Sequence, residues 1–154
     1  PEERIIFHND SKDVLEVAKS MLAGELEYRR ENYDVAFNNL RQAVECYDNL
    51  NYSEPWSWMM PPRHALGALL LEQGHVEEAT EVYRADLGLD DTLVRPSQHP
   101  ANIWSLLGYA ECCERLGDEA NLESIRLELD HAKQIADNSI QVSCFCRIKH
   151  GCCD

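Results

Sequence analysis

Between Ser11 and Arg30 the chain reads SKDVLEVAKSMLAGELEYRR, and Val14, Leu15, Ala18, Met21, Leu22 and Leu26 fall at intervals of three and four. That is the apolar stripe of a helix, with Asp10 or Ser11 as its N-cap. After a polar turn at Glu31 to Tyr33 the period returns in Val35, Ala36, Leu40, Ala43, Val44 and Tyr47. So short a connection leaves the two helices only an antiparallel arrangement. Periodicity fails through NYSEPWSWMMPP, resumes from Arg63 in HALGALLLEQ, stops at Gly74 and restarts through Val76, Ala79, Val82, Tyr83 and Leu87. Pro100 sits where a first-turn proline is tolerated and opens ANIWSLLGYAECCERLG, which ends at Gly117. A partner helix runs from about Asp118 to Ala136, and no strand of period two appears. The pattern predicts an all-α chain of three helix pairs, about 12–48, 61–88 and 100–136, followed by a polar, cysteine-rich tail over 137–154.

Small residues reveal an internal repeat. Ala23-Gly24 with Tyr33 and Ala36 match Leu66-Gly67 with Val76 and Ala79, and Gly24, Gly67 and Gly108 recur at steps of 43 and 41 residues. The run Trp104, Leu107 and Gly108 is W-x2-L-G on a first helix, and Ala79 to Tyr83 is A-x3-aromatic on a second. These features resemble the tetratricopeptide repeat, a helix–turn–helix unit of about 34 residues. The resemblance implies an α-α superhelix in which close helix approach is allowed by Gly and Ala, while a large residue such as Trp104 fills the space between neighbouring units. On that reading, truncating Trp104 to Ala costs about 3–5 kcal/mol. The chain departs from the pattern at Asp86, where a small residue is usual, and at Asp91, where proline is usual. It departs again in the third unit, where Ala120 follows Gly117 by only three positions, so the sixth helix is expected to pack out of register. Longer stretches, EPWSWMMPPRHALGALLLEQG, YRADLGLD and SCFCR, resemble the C-terminal end of larger microbial tetratricopeptide-repeat proteins.

At 154 residues the chain has the size of one domain, large enough to fold without covalent staples. It opens on Pro1 and not Met, which leads to the expectation that it is the C-terminal part of a longer protein. Its net charge of −14 repels nucleic-acid phosphates and anionic membranes, and suits basic peptides or metal ions. No run approaches the roughly 18 apolar residues of a membrane span, and no basic stretch with a small-residue cleavage site opens the chain as given. Seven cysteines, three within helical patterns and four crowded into the last eleven residues, do not spread like a secreted disulfide framework. A reducing, cytoplasmic setting is expected.

Within the repeat resemblance, first helices line a concave groove, and projecting that geometry onto this chain gives a wall of mixed character. It comprises Glu25, Tyr28 and Arg29 from the first unit, His64, Ala68 and Glu72 from the second, and Asn102, Ser105, Tyr109 and Cys112 from the third. Such a wall suits a protein or peptide partner, including an upstream region of the same chain. His64 is the groove residue whose titration matters near neutral pH, but no Ser or Cys stands beside it as a nucleophile and no phosphate-binding loop exists. The reading leans away from an enzyme, with no cofactor. The competing reading is a metal or redox role for the tail, SCFCRIKHGCCD. There Cys144, Cys146, Cys152 and Cys153 with His150 offer soft ligands to Zn or Cu, although their spacing is not that of a zinc ribbon. Cys112 and Cys113 point about 100° apart on a helix, which makes one of them small apolar filler and the other groove lining. The tryptophans and methionines of EPWSWMMPP could form an adaptable binding surface, but the preferred reading is the filling of a joint, with Pro61 and Pro62 opening the next helix.

Overall fold

The computed structural model describes residues 4–147. Six helices carry the fold, joined by short turns and two longer connectors: α1 Ser11–Arg29, α2 Tyr33–Asp48, α3 Pro62–Gln73, α4 Val76–Leu87, α5 Ile103–Leu116 and α6 Glu119–Ile135. Single 3-10 turns occur at Arg95–Ser97 and Phe145–Arg147. Two antiparallel two-residue strands, β1 Ile5–Ile6 and β2 Asn9–Asp10, precede α1. They are too short to leave a period-two signature in the sequence. Among the described residues no helix is long and apolar enough to cross a membrane. The chain divides into two compact units, Pro1–Leu66 and Gly67–Asp154.

In the first unit α1 and α2 pack antiparallel. Val14, Val17, Met21, Gly24 and Tyr28 of α1 are buried with Ala36, Phe37, Leu40 and Ala43 of α2. A Cβ added to Gly24 would stand 2.6 Å from Leu40 Cγ, so the absent side chain sets how close the helices approach. Leu40 is fully enclosed, which contributes about 1.5–3 kcal/mol. The connector after α2 is fixed by polar contacts. Asn9, itself buried, donates from Nδ2 to Asn51 O and Ser57 Oγ at 2.9 Å each, and Asn51 N–H donates back to Asn9 Oδ1 at 2.6 Å. Trp58 Nε1–H donates to Met21 Sδ at 3.1 Å. Arg63 grips Asp48 with both guanidinium nitrogens, at 2.5 and 2.7 Å, tying the start of α3 to the end of α2. Trp58 is thus half-buried and held to α1 within the first unit, whereas Met59, Met60 and Trp56 stay exposed.

In the second unit the ring of Tyr83 on α4 stands in the same relation to Gly67 as Leu40 does to Gly24. The sequence separation is identical, and a Cβ at Gly67 would meet Tyr83 Cζ at 2.6 Å. Leu69, Leu70, Leu71, Ala79, Tyr83, Leu106, Tyr109 and Cys112 have almost no exposure. Helix α5 starts at Ile103, three residues later than Pro100 suggests. Ala101 takes a left-handed conformation at φ 58°, and the Asn102 side chain accepts the Ser105 N–H at 2.9 Å, which caps the helix there. Its end is set by Gly117 at φ 68°, a conformation that excludes most side chains. On α6 the buried positions are Ile125, Leu129 and Ala132, while Ala120 is exposed. The sixth helix thus uses a different set of positions from the small-residue repeat, because α5 extends nine residues from Gly108 to Gly117 where α3 extends seven from Gly67 to Gly74.

Candidate functional site

Helix α1 is apolar on two opposite sides. At 100° per residue Val14, Val17, Ser20, Met21, Gly24 and Tyr28 form the buried side, and Leu15, Leu22 and Leu26 fall within about 40° of one another on the other. The three leucines are 62%, 63% and 46% exposed. The sequence reading merged both sets into one stripe, because residues 14, 15, 18, 21, 22 and 26 satisfy three-and-four spacing while in fact alternating between two faces. Within about 60° of the centre of the leucine row lie Ser11, Lys12, Ala18, Lys19 and Arg29, and the nearest carboxylate on the helix, Glu25, lies about 80° from that centre. In a chain with net charge −14 this sector is apolar and basic. Lys19 ion-pairs sideways with Glu16 at 2.9 Å, and the Arg29 guanidinium lies 5.6 Å from the Tyr28 ring centroid.

The groove residues expected from the sequence are not brought to one open surface. Glu25 is half-buried and Arg29 exposed on α1, but Tyr28 is inside the first unit, where its ring meets Tyr33 edge-on at 5.2 Å and Phe37 at 6.1 Å. His64 is half-buried in the first turn of α3, and Glu72 is exposed two turns farther along that helix. Ala68 is fully buried. On α5, Asn102 is half-buried, while Ser105, Tyr109 and Cys112 are enclosed. Tyr109 OH accepts a hydrogen bond from Arg84 of α4 at 3.0 Å. Burial pushes the Cys112 thiol up to about 11, against a weaker opposing contribution from Thr80. The face of α5 expected to look into a groove packs instead on α4, since Ser105, Tyr109 and Cys112 supply the small and aromatic surface that α4 needs.

Two of those residues, Asn102 and Ser105, belong to a buried polar cluster that sequence reasoning missed. Asp86 is 0% exposed; its Oδ1 lies 2.7 Å from His99 Nδ1, and its Oδ2 accepts from Ser105 Oγ at 2.6 Å and from Asn102 Nδ2 at 3.0 Å. His99 N–H also donates to Asp86 O at 2.6 Å. The cluster holds Ser, His and Asp, but the hydroxyl donates to the carboxylate and not to the imidazole. Its geometry anchors the connector between α4 and α5; it does not activate a nucleophile. The available signal was Asp86 itself, a charge at a small-residue position.

After α6 the chain returns along α5. Ser143 Oγ is 2.9 Å from Tyr83 OH, and the Phe145 ring packs against Trp104 with centroids 4.7 Å apart and planes inclined at 56°. Arg147 donates to both carboxylate oxygens of Glu111, at 2.6 and 3.1 Å. Burial works to raise Glu111, but Arg147 and Arg115 outweigh it and hold the carboxyl below its ordinary range. Beside this segment lies a cavity of about 310 Å³ lined in part by Leu107, Glu114, Leu129, Lys133 and Gln141. Trp104 is half-buried, so it does not fill an enclosed space between units.

Of the five expected metal ligands, Cys144 and Cys146 are joined to each other in a disulfide, and His150, Cys152 and Cys153 lie outside the described residues. Sulfurs so joined offer no thiolate to Zn or Cu. Cys46, Cys112 and Cys113 are free thiols. Comparison with known proteins finds no family model, curated protein or solved structure that matches the chain.

Proposed function

We propose that the chain is a non-enzymatic interaction module that binds a protein or peptide partner, and that the outward face of α1 is where the partner docks. The observation carrying this reading is the row Leu15, Leu22 and Leu26, exposed and diametrically opposite the buried side of the same helix. Exposed apolar surface of this regularity costs solubility without return unless something covers it. The three- and four-residue spacing suits an amphipathic helix lying alongside, with apolar residues meeting the leucines. Lys12, Lys19 and Arg29 along the row favour a partner whose flanks are acidic.

The same proposal places the chain among tetratricopeptide-like solenoids. The matched pairs Gly24 with Leu40 and Gly67 with Tyr83 support it: two hairpins use one packing rule at one spacing. Arg29 and Glu25, two of the residues expected to line a groove, flank the leucine row, so the partner surface keeps part of that expectation.

The test is affinity capture with quantitative mass spectrometry, comparing the full chain, a Leu22→Asp/Leu26→Asp variant and a Leu127→Asp control. Leu127 is 84% exposed on α6, so all three proteins are expected to keep the same helical circular dichroism. Partners lost with the α1 variant and retained with the control support the reading. An identical recovered set from all three proteins overturns it.

A further inference from the structure

Among the described cysteines, Cys144 and Cys146 stand apart in being already paired, at a Cα–Cα distance of 5.2 Å. A crosslink that closes so short a stretch removes little freedom from the unfolded chain, so it does little as a structural staple. Its surroundings are organised differently from a staple's. The residue before the pair, Ser143, is held by Tyr83; the residue between, Phe145, rests on Trp104; and the residue after, Arg147, is gripped by Glu111. These three anchors do not involve the sulfur–sulfur bond, so they keep the two cysteines adjacent whether or not it is closed. The two sulfurs are also unequal. Cys144 is 4% exposed and its Sγ accepts the Cys146 N–H at 3.2 Å, whereas Cys146 is half-buried.

We propose that Cys144 and Cys146 form a thiol–disulfide exchange site acting on dithiols and disulfides, with Cys146 as the sulfur that reacts with the partner and Cys144 as the resolving sulfur. In the reductive direction a thiolate of an external dithiol attacks Cys146 Sγ. The Cys144–Cys146 bond breaks, its electron pair passes to Cys144 Sγ, and a mixed disulfide forms at Cys146. The leaving thiolate at Cys144 is received by the Cys146 N–H already directed at it, and then takes a proton from solvent. The second thiolate of the reductant attacks its own sulfur in the mixed disulfide and releases Cys146 as a thiolate, which is protonated. The protein gains two electrons and two protons, and the reductant leaves as a cyclic disulfide. In the other direction the Cys146 thiolate attacks a substrate disulfide and Cys144 resolves the mixed species, so a substrate dithiol is released as the protein disulfide closes. Burial of Cys144 sets the order, because the half-buried Cys146 is the more accessible of the two to a partner thiolate.

The experiment uses the full chain under native conditions. Oxidised protein is treated with dithiothreitol, quenched in acid, alkylated in denaturant and mapped by mass spectrometry. The expected result is complete reduction of the Cys144–Cys146 peptide while helical circular dichroism is unchanged; reduction that requires unfolding overturns the proposal. Cys144→Ser and Cys146→Ser variants are then reacted with 5,5′-dithiobis(2-nitrobenzoic acid), and the modified site is mapped. Cys146 in the first variant is expected to form its mixed disulfide about tenfold faster than Cys144 in the second. Equal rates overturn the assignment of roles. A Cys152→Ser/Cys153→Ser variant must still close the Cys144–Cys146 bond, and failure to do so overturns the pairing. A Cys144→Ser/Cys146→Ser variant is expected to keep the melting temperature within a few degrees, since a larger fall would mark the bond as structural.

Discussion

The ring of Tyr83 fills the space that a side chain would take at both Gly67 and Gly108, so one phenol separates α4 from two other helices at once. Being fully buried and flat, it has nowhere to retreat. Gly108→Ala is therefore expected to lower stability. Because a Cβ there would overlap the fully buried ring, overpacking is expected at about 3 kcal/mol; the better helix propensity of Ala returns about 1, and a net loss of roughly 2 should appear in urea unfolding. A Gly108→Ala protein as stable as the original would mean that α4 and α5 do not approach as described.

Asp86→Ala removes the acceptor of His99, Asn102 and Ser105 together. Leaving those buried groups unsatisfied is expected to cost about 3 kcal/mol, with protease sensitivity rising over the connector between α4 and α5. Asp86→Asn, which keeps one acceptor oxygen, should lose less. Equal losses in the two variants would show that the carboxylate's charge, and not its count of acceptors, holds the connector.

Glu111 titrates below its ordinary value in the folded chain, held there by Arg147 and Arg115 against the effect of burial. A depressed carboxylate pKa contributes stability above the ordinary carboxylate range, and that contribution is lost as pH falls through the folded value. The returning segment at Ser143 to Arg147 is expected to loosen as pH drops below roughly 4. The pair is still partly open to solvent, so the effect stays under about 1 kcal/mol. Hydrogen exchange of the Cys146 and Arg147 amides across this range, with Glu111→Gln as reference, measures it; parallel profiles in the two proteins would exclude the contribution.

The free thiols should react in a fixed order. With its thiol pushed up to about 11, Cys112 is thiolate in about one molecule in ten thousand at neutral pH, and burial raises Cys113 as well. Cys46 is half-buried. Native alkylation with iodoacetamide followed by peptide mapping is expected to label Cys46 before Cys113 and leave Cys112 unmodified until the chain unfolds.

Much of the fold was legible because helices announce themselves by period and by their ends. Gly74 and Gly117 mark two helix ends as the sequence suggests, and Pro62 opens α3. What periodicity could not resolve was a helix with two apolar faces. Leu15 and Val14 are sequence neighbours, yet one is exposed and the other packed, and only the position of α2 decides which is which. The candidate site was less legible for a related reason. Ser105, Tyr109 and Cys112 are spaced to look outward from a first helix, but α4 lies against that side. The Asp86 cluster depends on the connector folding back to bring His99 to Asp86, which local sequence does not encode. Trp104 was assigned an enclosed position; with one face covered by Phe145 and the residue half-buried, its truncation should cost nearer 1–3 kcal/mol than the larger loss expected from the repeat pattern.

Asn9 has a further consequence, for the order of events in folding. Its side chain closes a loop of more than forty residues onto Asn51 and Ser57, and those bonds form only after α1 and α2 have brought the two ends of that loop together. Local helix pairing is therefore expected to come first and long-range closure last. The tryptophan-bearing connector thus acquires its shape from a residue that precedes the first helix, and removing the first ten residues should expose it to proteases while α1 and α2 remain folded.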